Sequence, residues 1–291
     1  MNVLMLYPKF PEQTFWNTAR SVKLLWGRKA IMPPLGLLTI ASYLPEDFSL
    51  RLVDRNVTEE SDTDWAWADV VFLSVMMAQQ DDYRECVANA KMRGKPIAVG
   101  GPFTHALPED ACADADWVCF GEAEDIMEEL VSDLRADRRG QRYQGGAGTN
   151  MERVKIPRFE LLPDVNDYAT MALQFSRGCP FKCEFCDIIE IFVRGTRQKP
   201  LRRSAPSWRR SNGWAFKATF FWLMTISSAT REKPKKCSPN WQRGIANTII
   251  RFAITPKLRS IWPTMTSCSS ACAKPVSSTF SSASRPRTPI C

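Results

Sequence analysis

The chain has 291 residues, 44% of them hydrophobic and 24% charged, enough for about two domains with their own cores. No apolar run reaches the ~18–20 residues needed to cross a bilayer, and ten cysteines in a chain of this length do not read as a secreted disulfide scaffold. The formal net charge of +8 hides a division: residues 193–291 hold 19 of the 39 basic residues and a single acid, Glu232, so residues 1–192 are net acidic.

The first residues, Met1-Asn2-Val3-Leu4-Met5-Leu6-Tyr7-Pro8, lack the basic flank and small-residue cleavage site of a signal peptide, so a cytoplasmic protein is expected. Residues 3–7 form a short apolar run that ends at Pro8, and residues 50–54, 70–74, 96–100 and 117–120 repeat the pattern. Such runs suit parallel strands buried on both faces. Between them, residues 35–44 carry apolar side chains at helical spacing behind Pro33-Pro34, and residues 83–92 and 124–134 do the same. The last opens with acids, which suit a helix N-terminus. The alternation predicts an α/β fold with a doubly wound parallel sheet over residues 1–139.

In such folds ligands bind at the carboxyl ends of the strands. Those ends carry Asp54, Ser74, Gly100-Gly101 and Gly121-Glu122, and a Gly-Gly pair lets the backbone approach a ligand closely. Each of them taken singly is also an ordinary strand-ending turn. No G-x-G-x-x-G follows the first strand, which argues against a dinucleotide site. The single histidine, His105, lies in a loop and reads as a solvated or packed residue rather than a ligand. Residues 140–150 contain four glycines and no apolar periodicity, so residues 140–170 are expected to be a linker.

The run Gln174-Phe175-Ser176-Arg177-Gly178-Cys179-Pro180-Phe181-Lys182-Cys183-Glu184-Phe185-Cys186-Asp187 sets three thiols as C-x3-C-x2-C. Three thiolates on one short loop can hold three corners of a cubic 4Fe–4S cluster and leave one iron without a protein ligand. An open coordination site is what lets a metal centre bind and activate a substrate. Gly178 permits the tight turn into the loop, and Arg177 and Lys182 add positive charge that favours thiolate over thiol. A zinc knuckle and three unrelated cysteines are the alternatives. Zinc sites generally take a fourth Cys or His at regular spacing, and none lies nearby.

This loop, with aromatic Phe185 just before the third cysteine, resembles the signature of radical S-adenosylmethionine (radical SAM) enzymes. The resemblance implies that Cys179, Cys183 and Cys186 ligate a 4Fe–4S cluster whose open iron chelates S-adenosylmethionine, and that Phe185 packs near the adenine. Electron transfer from a reductant such as flavodoxin or ferredoxin then cleaves the sulfonium to methionine and a 5′-deoxyadenosyl radical. Pro33-Pro34-Leu35-Gly36-Leu37-Leu38, Val99-Gly100-Gly101-Pro102, Phe120-Gly121-Glu122-Ala123-Glu124 and Ile156-Pro157-Arg158-Phe159 resemble the cobalamin-binding subgroup, in which a flavodoxin-like B12 domain precedes a radical SAM barrel. By that resemblance Asp54, Ser74, Gly100, Gly101, Gly121 and Glu122 are candidates to border cobalamin. Residues 174–178 and Cys186-Asp187-Ile188-Ile189 resemble the branch containing hopanoid C-2 methyltransferase. That implies methyl transfer to an unreactive carbon of a small-molecule or lipid substrate. The resemblance covers residues 1 to about 197, the barrel being expected to begin at residue 171. One part of the family pattern is absent. Asp54-Arg55-Asn56-Val57 has no histidine to match the cobalt-ligating D-x-H-x-x-G, so cobalamin here would lack a protein imidazole on the metal.

Beyond Asp187 a barrel should continue as alternating strands and helices. Residues 202–291 instead show weak periodicity, scattered Ser-Ser pairs, five tryptophans and almost no acids, unlike a soluble domain of ordinary composition. Reading the third base of each codon with the first two of the next restores the acids. Residues 203–211 can then spell Q-V-R-A-E-L-E-A-L, and residues 219–236 N-V-F-L-V-D-D-N-F-I-G-N-K-R-E-A-K-K. Residues 264–291 can spell D-D-D-E-L-L-E-R-M-R-E-A-G-F-E-H-V-F-F-G-I-E-T-P-D-P-D-L. These strings share one alternate frame, resemble the family's barrel and imply a one-frame slip between Phe192 and about Gln198. Residues 198–291 are then expected to lack a native fold, and Cys237, Cys268, Cys272 and Cys291 to carry no role. The basic charge follows from codon content, so nucleic acid is not the expected partner. Three readings of function remain: a cobalamin-dependent radical SAM methyltransferase, a damaged product that keeps the sheet and the cysteine loop but lacks the barrel that shields the radical, and, least favoured, a basic nucleic-acid-binding protein that uses the tail.

Overall fold

Successive side chains of a strand point to opposite sides, and this divides the core in two. Along β1 (Asn2–Tyr7), Val3 and Met5 pack into one hydrophobic cluster while Leu4 and Leu6 pack into the other. All four are fully buried, each such side chain contributing about 1.5–3 kcal/mol relative to exposure. The computed structural model describes residues 1–12, 19–146, 148–181, 183, 184, 186, 188–192, 194–199 and 219–224.

After β1 come α1 (Ala19–Trp26), α2 (Leu35–Ala41), β2 (Ser49–Asp54), α3 (Asp62–Trp67), β3 (Val70–Ser74), α4 (Gln80–Met92) and β4 (Ile97–Gly100). Then follow α5 (Pro102–Ala106), α6 (Pro108–Asp114), β5 (Trp117–Phe120), α7 (Met127–Arg135) and β6 (Gln141–Gln144). The six strands form one sheet in the order β2-β1-β3-β4-β5-β6, with every neighbouring pair parallel. Side chains of α2 and α7 cover one face, against Val3, Met5, Phe72, Ala98 and Trp117. Those of α3, α4, α5 and α6 cover the other, against Leu4, Leu6, Val71, Val99 and Val118. The expected flavodoxin-like, doubly wound α/β fold is the one observed.

The stretch expected to be a linker is structured. β6 lies within it as an edge strand of the sheet. Its sequence, Gln-Arg-Tyr-Gln, buries only Tyr143, so the continuous apolar run that marks the inner strands is missing. Farther on, Phe159, Leu162, Val165 and Tyr168 join the α2–α7 core from two single-turn 3-10 helices and the residues that cap them. Residues 167–170 also hydrogen-bond residues 29–31: Ala30 N donates to Asp167 O (3.0 Å), Ala169 N to Ala30 O (2.9 Å) and Thr170 N to Ile31 O (2.8 Å).

A second sheet begins at β7 (Thr170–Arg177), followed by α8 (Ile188–Ile191), β8 (Arg197–Gln198) and β9 (Thr219–Met224), in the order β8-β7-β9. β8 runs antiparallel to β7 and β9 parallel to it. β9 falls in the span expected to lack a native fold. Thr-Phe-Phe-Trp-Leu-Met is an aromatic and apolar run that suits a strand as written. The rest of that expectation, from residue 200 on, lies outside the described residues. Among the described residues no helix is long and apolar enough to cross a membrane.

Candidate functional site

The strand order reverses between β1 and β3, and in sheets of this order the crevice beyond those carboxyl ends is where ligands bind. Ser74 ends β3 in register with Gly100 at the end of β4. Gly36, at the start of α2, faces Ser74: a Cβ there would stand 3.7 Å from its Oγ. Gly36, Ser74 and Gly100 together leave these strand ends without bulky side-chain cover. Gly101 has a more local reason to be glycine. Its φ is +95°, and a Cβ would lie 2.8 Å from Val75 O, so no side chain fits where the β4 turn passes the end of β3.

The switch point also carries residues that the sequence reading missed. Tyr7 ends β1 and its hydroxyl donates to Met76 Sδ at 3.8 Å. Gln79, fully buried, accepts from Met76 N (2.8 Å) through Oε1 and donates through Nε2 to Pro8 O. This clamps the turns after β1 and β3 together. Only the spatial strand order singles out these two turns, and chain order alone does not supply it.

Asp54 ends β2, one strand away from the switch point. Its carboxylate accepts from Tyr168 Oη (3.2 Å), Asn56 N (2.9 Å) and Asn56 Nδ2 (2.7 Å). Burial pushes the Asp54 carboxyl up to about 6, and the bonds from Asn56 and Tyr168 oppose the rise only in part. Burial, then the Asp54 charge, raises the Tyr168 phenol as well. The pair fastens the segment leading into β7 to the sheet. His105, expected in a loop, lies on a short helix. It is half-buried on α5, and its Nε2 accepts from Gly121 N at 2.7 Å.

Glu122 lies in the turn after β5 with its side chain fully buried, and two guanidiniums reach it from the second sheet. Arg177 Nη1 donates to Glu122 Oε2 at 2.9 Å, and Arg177 Nη2 pairs with Glu124. Arg197 Nη1 donates to Glu122 Oε2 at 3.0 Å, and its Nη2 pairs with Oε1. Burial works against the Arg177 charge, but the bonds and charges of Glu124 and Glu122 more than restore it and hold it above its ordinary value. The Arg177 charge, expected to face the cysteines, is paired with two carboxylates. Lys182 and Phe185 lie outside the described residues.

Gly178 turns the chain out of β7 with φ +84°. Cys179 is 4% exposed, Cys183 is exposed and Cys186 is intermediate, and all three are free thiols. Among the described residues no three His, Cys, Asp or Glu side chains converge on a point that could hold a metal ion. The donor set itself fits a thiophilic metal: three thiols on one loop, none consumed by a disulfide.

Residues 25–131 match the B12 binding domain family. The chain is 41% identical over 200 residues to an uncharacterised methyltransferase of Synechocystis sp., covering 68% of this chain and 37% of that protein. It is 35% identical over 201 residues to the hopanoid C-2 methylase of Rhodopseudomonas palustris, covering 68% of this chain and 38% of the methylase. A bacteriochlorophyllide d C-8(2)-methyltransferase of Chlorobaculum tepidum is 28% identical over 158 residues, covering 52% and 34%. The chain therefore spans well under half the length of these relatives.

Proposed function

From a chain whose residues 25–131 carry a B12-binding domain and which is related to methyltransferases, we propose a cobalamin-dependent radical SAM methyltransferase that alkylates an unreactive carbon of a small, hopanoid-like lipid. The observation that carries the proposal is a juxtaposition. The loop bearing Cys179, Cys183 and Cys186 starts and ends on Glu122, in the turn at the carboxyl end of β5. On this reading a donor of methyl groups and a source of radicals would meet at the carboxyl end of one sheet.

In this reading Gly36, Ser74 and Gly100 form the floor for the corrinoid, and Tyr7, Met76 and Gln79 order the turns beside it. Gly101, Gly121 and Asp54 shape the surrounding turns, and Cys179, Cys183 and Cys186 ligate the cluster, with Phe185 beside the adenine of S-adenosylmethionine. When bound, the corrinoid supplies a transferable methyl group and the cluster supplies the electron that opens the sulfonium. A flavodoxin or ferredoxin would feed the cluster. The protein's own part is to hold the two groups together and exclude water. A second reading is favoured by one observation: similarity to the relatives covers 68% of the chain, close to the span before the proposed frame slip. On that reading the 291-residue chain binds the groups but does not turn over.

Three measurements separate these readings. Anaerobic reconstitution with iron and sulfide should give a brown protein with a charge-transfer band, lost in Cys179→Ser, Cys183→Ser or Cys186→Ser. Hydroxocobalamin should shift spectrally on binding. Cleavage of S-adenosylmethionine under reduction supports turnover, and its absence with both groups bound supports the damaged product. A colourless, iron-free protein with a folded sheet overturns the radical SAM assignment.

A further inference from the structure

The cysteine loop leaves its sheet at Arg177 and returns at Arg197, and these two residues are paired with each other across β7 and β8. Both guanidiniums converge on one carboxylate. Arg197 reaches further, donating from Nη1 to Thr149 O at 2.6 Å and from Nη2 to Phe192 O at 3.0 Å. Phe192 closes the last turn of α8, its N–H donating to Ile188 O at 2.9 Å. The Arg177 guanidinium carbon lies 6.0 Å from the Phe192 ring centroid. Inside the loop, Gly195 N donates to Cys179 O at 3.1 Å, and Cys179 bridges Arg194. The backbone under Glu122 is fixed as well. A Cβ on Gly145 would lie 2.2 Å from Glu122 O, so the neighbouring strand can approach only as glycine.

We propose that Glu122 is a positioning residue that clasps both ends of the cysteine loop and holds Cys179 buried against the B12-binding domain before any metal arrives. A fully buried carboxylate is tolerable only when paired and hydrogen-bonded, and removing it takes a partner from the buried Arg177 and from the partly exposed Arg197. Farther along the loop, Phe181 and Cys183 are exposed. The meaning for cluster loading rests on the proposed function above. The clasp itself does not, and it is testable without iron.

The test is the rate of thiol alkylation, read by peptide mass in the metal-free 291-residue chain. Cys86 on α4 and Cys119 on β5 are internal standards: both are buried, and burial pushes each thiol up to about 12. Arg197→Gln frees the far end of the loop but leaves the Arg177–Glu122 pair. Cys179 should then be labelled at least about tenfold faster while Cys86 and Cys119 stay protected. Glu122→Gln should act in the same direction and more strongly, and Glu124→Gln, which touches Arg177 alone, less. Selective release of Cys179 in Arg197→Gln carries the assignment even if Glu122→Gln fails to fold. No change at Cys179, or release of all three thiols together in that variant, overturns it. Failure to bind iron in the unaltered chain would sink the radical SAM reading and leave the clasp standing.

Discussion

Strands β1, β3 and β4 bury both of their faces under helices, whereas the segment from β7 to β8 closes on a single buried carboxylate and leaves a cysteine in solvent. Each region contains a buried arginine, and the contrast between them is instructive. Arg55 meets Glu60, Asp82 and Glu85 within the first domain. Arg177 meets Glu122 and Glu124 across two sheets. The first pairing reinforces a core that hydrophobic burial already holds, and the second ties the ends of the cysteine loop to the turn after β5.

The largest expected effect tests the sheet. Trp117 is 1% exposed, packs with the α2–α7 cluster and donates from Nε1 to Arg138 O at 2.8 Å. Trp117→Ala should lower unfolding stability by about 3–5 kcal/mol, read from urea midpoints. The same cluster includes Phe159, Tyr168 and Met171, so the segment entering β7 should unfold in the same transition. A loss below about 1 kcal/mol would mean that the hydrophobic core is not what holds the sheet.

The four inner strands β1, β3, β4 and β5 are legible because each is a short run of apolar residues, as burial on both faces requires, and edge strand β2 is legible by Leu50, Leu52 and Val53. β6 is not, since an edge strand with one buried residue carries no such run. The three cysteines are legible by spacing alone. Their surroundings are not: Glu122 and Arg197 stand 75 residues apart, and nothing local marks a glutamate after a strand as the partner of an arginine on another sheet. Tyr7, Met76 and Gln79 escaped for the same reason.

Asp54 offers a smaller effect that reports on the joint between the regions. Its carboxyl stands at about 6 in the fold, above the ordinary ~3.9 of an unfolded chain. The fold thus favours the protonated form. This contribution to stability is fully present below about pH 4 and is lost as the pH rises through 6, amounting to about 3 kcal/mol at most. Asp54→Asn should flatten the fall in urea midpoint between pH 4 and 6, since an asparagine can still accept from Asn56 and donate to the Tyr168 oxygen. An unchanged slope would assign the pH dependence to other groups.

The smallest effect should stay inside the sheet domain. Ser61 caps α3: its Oγ accepts from Asp64 N at 3.3 Å, and Asp64 Oδ2 accepts from Ser61 N at 3.0 Å. This reciprocal box satisfies two amide groups that the first turn leaves free. Ser61→Ala should cost about 1 kcal/mol and loosen Trp65, the buried residue of that helix. α3 packs on the face of the sheet opposite α2 and α7, and residues 159–171 join the α2–α7 side. The perturbation therefore falls on the other face of the sheet from residues 159–171, and Cys179 should be alkylated at the unaltered rate. Faster labelling of Cys179 in this variant would show that the loop is coupled to the overall stability of the sheet, and the two regions would then have to be treated as one cooperative unit.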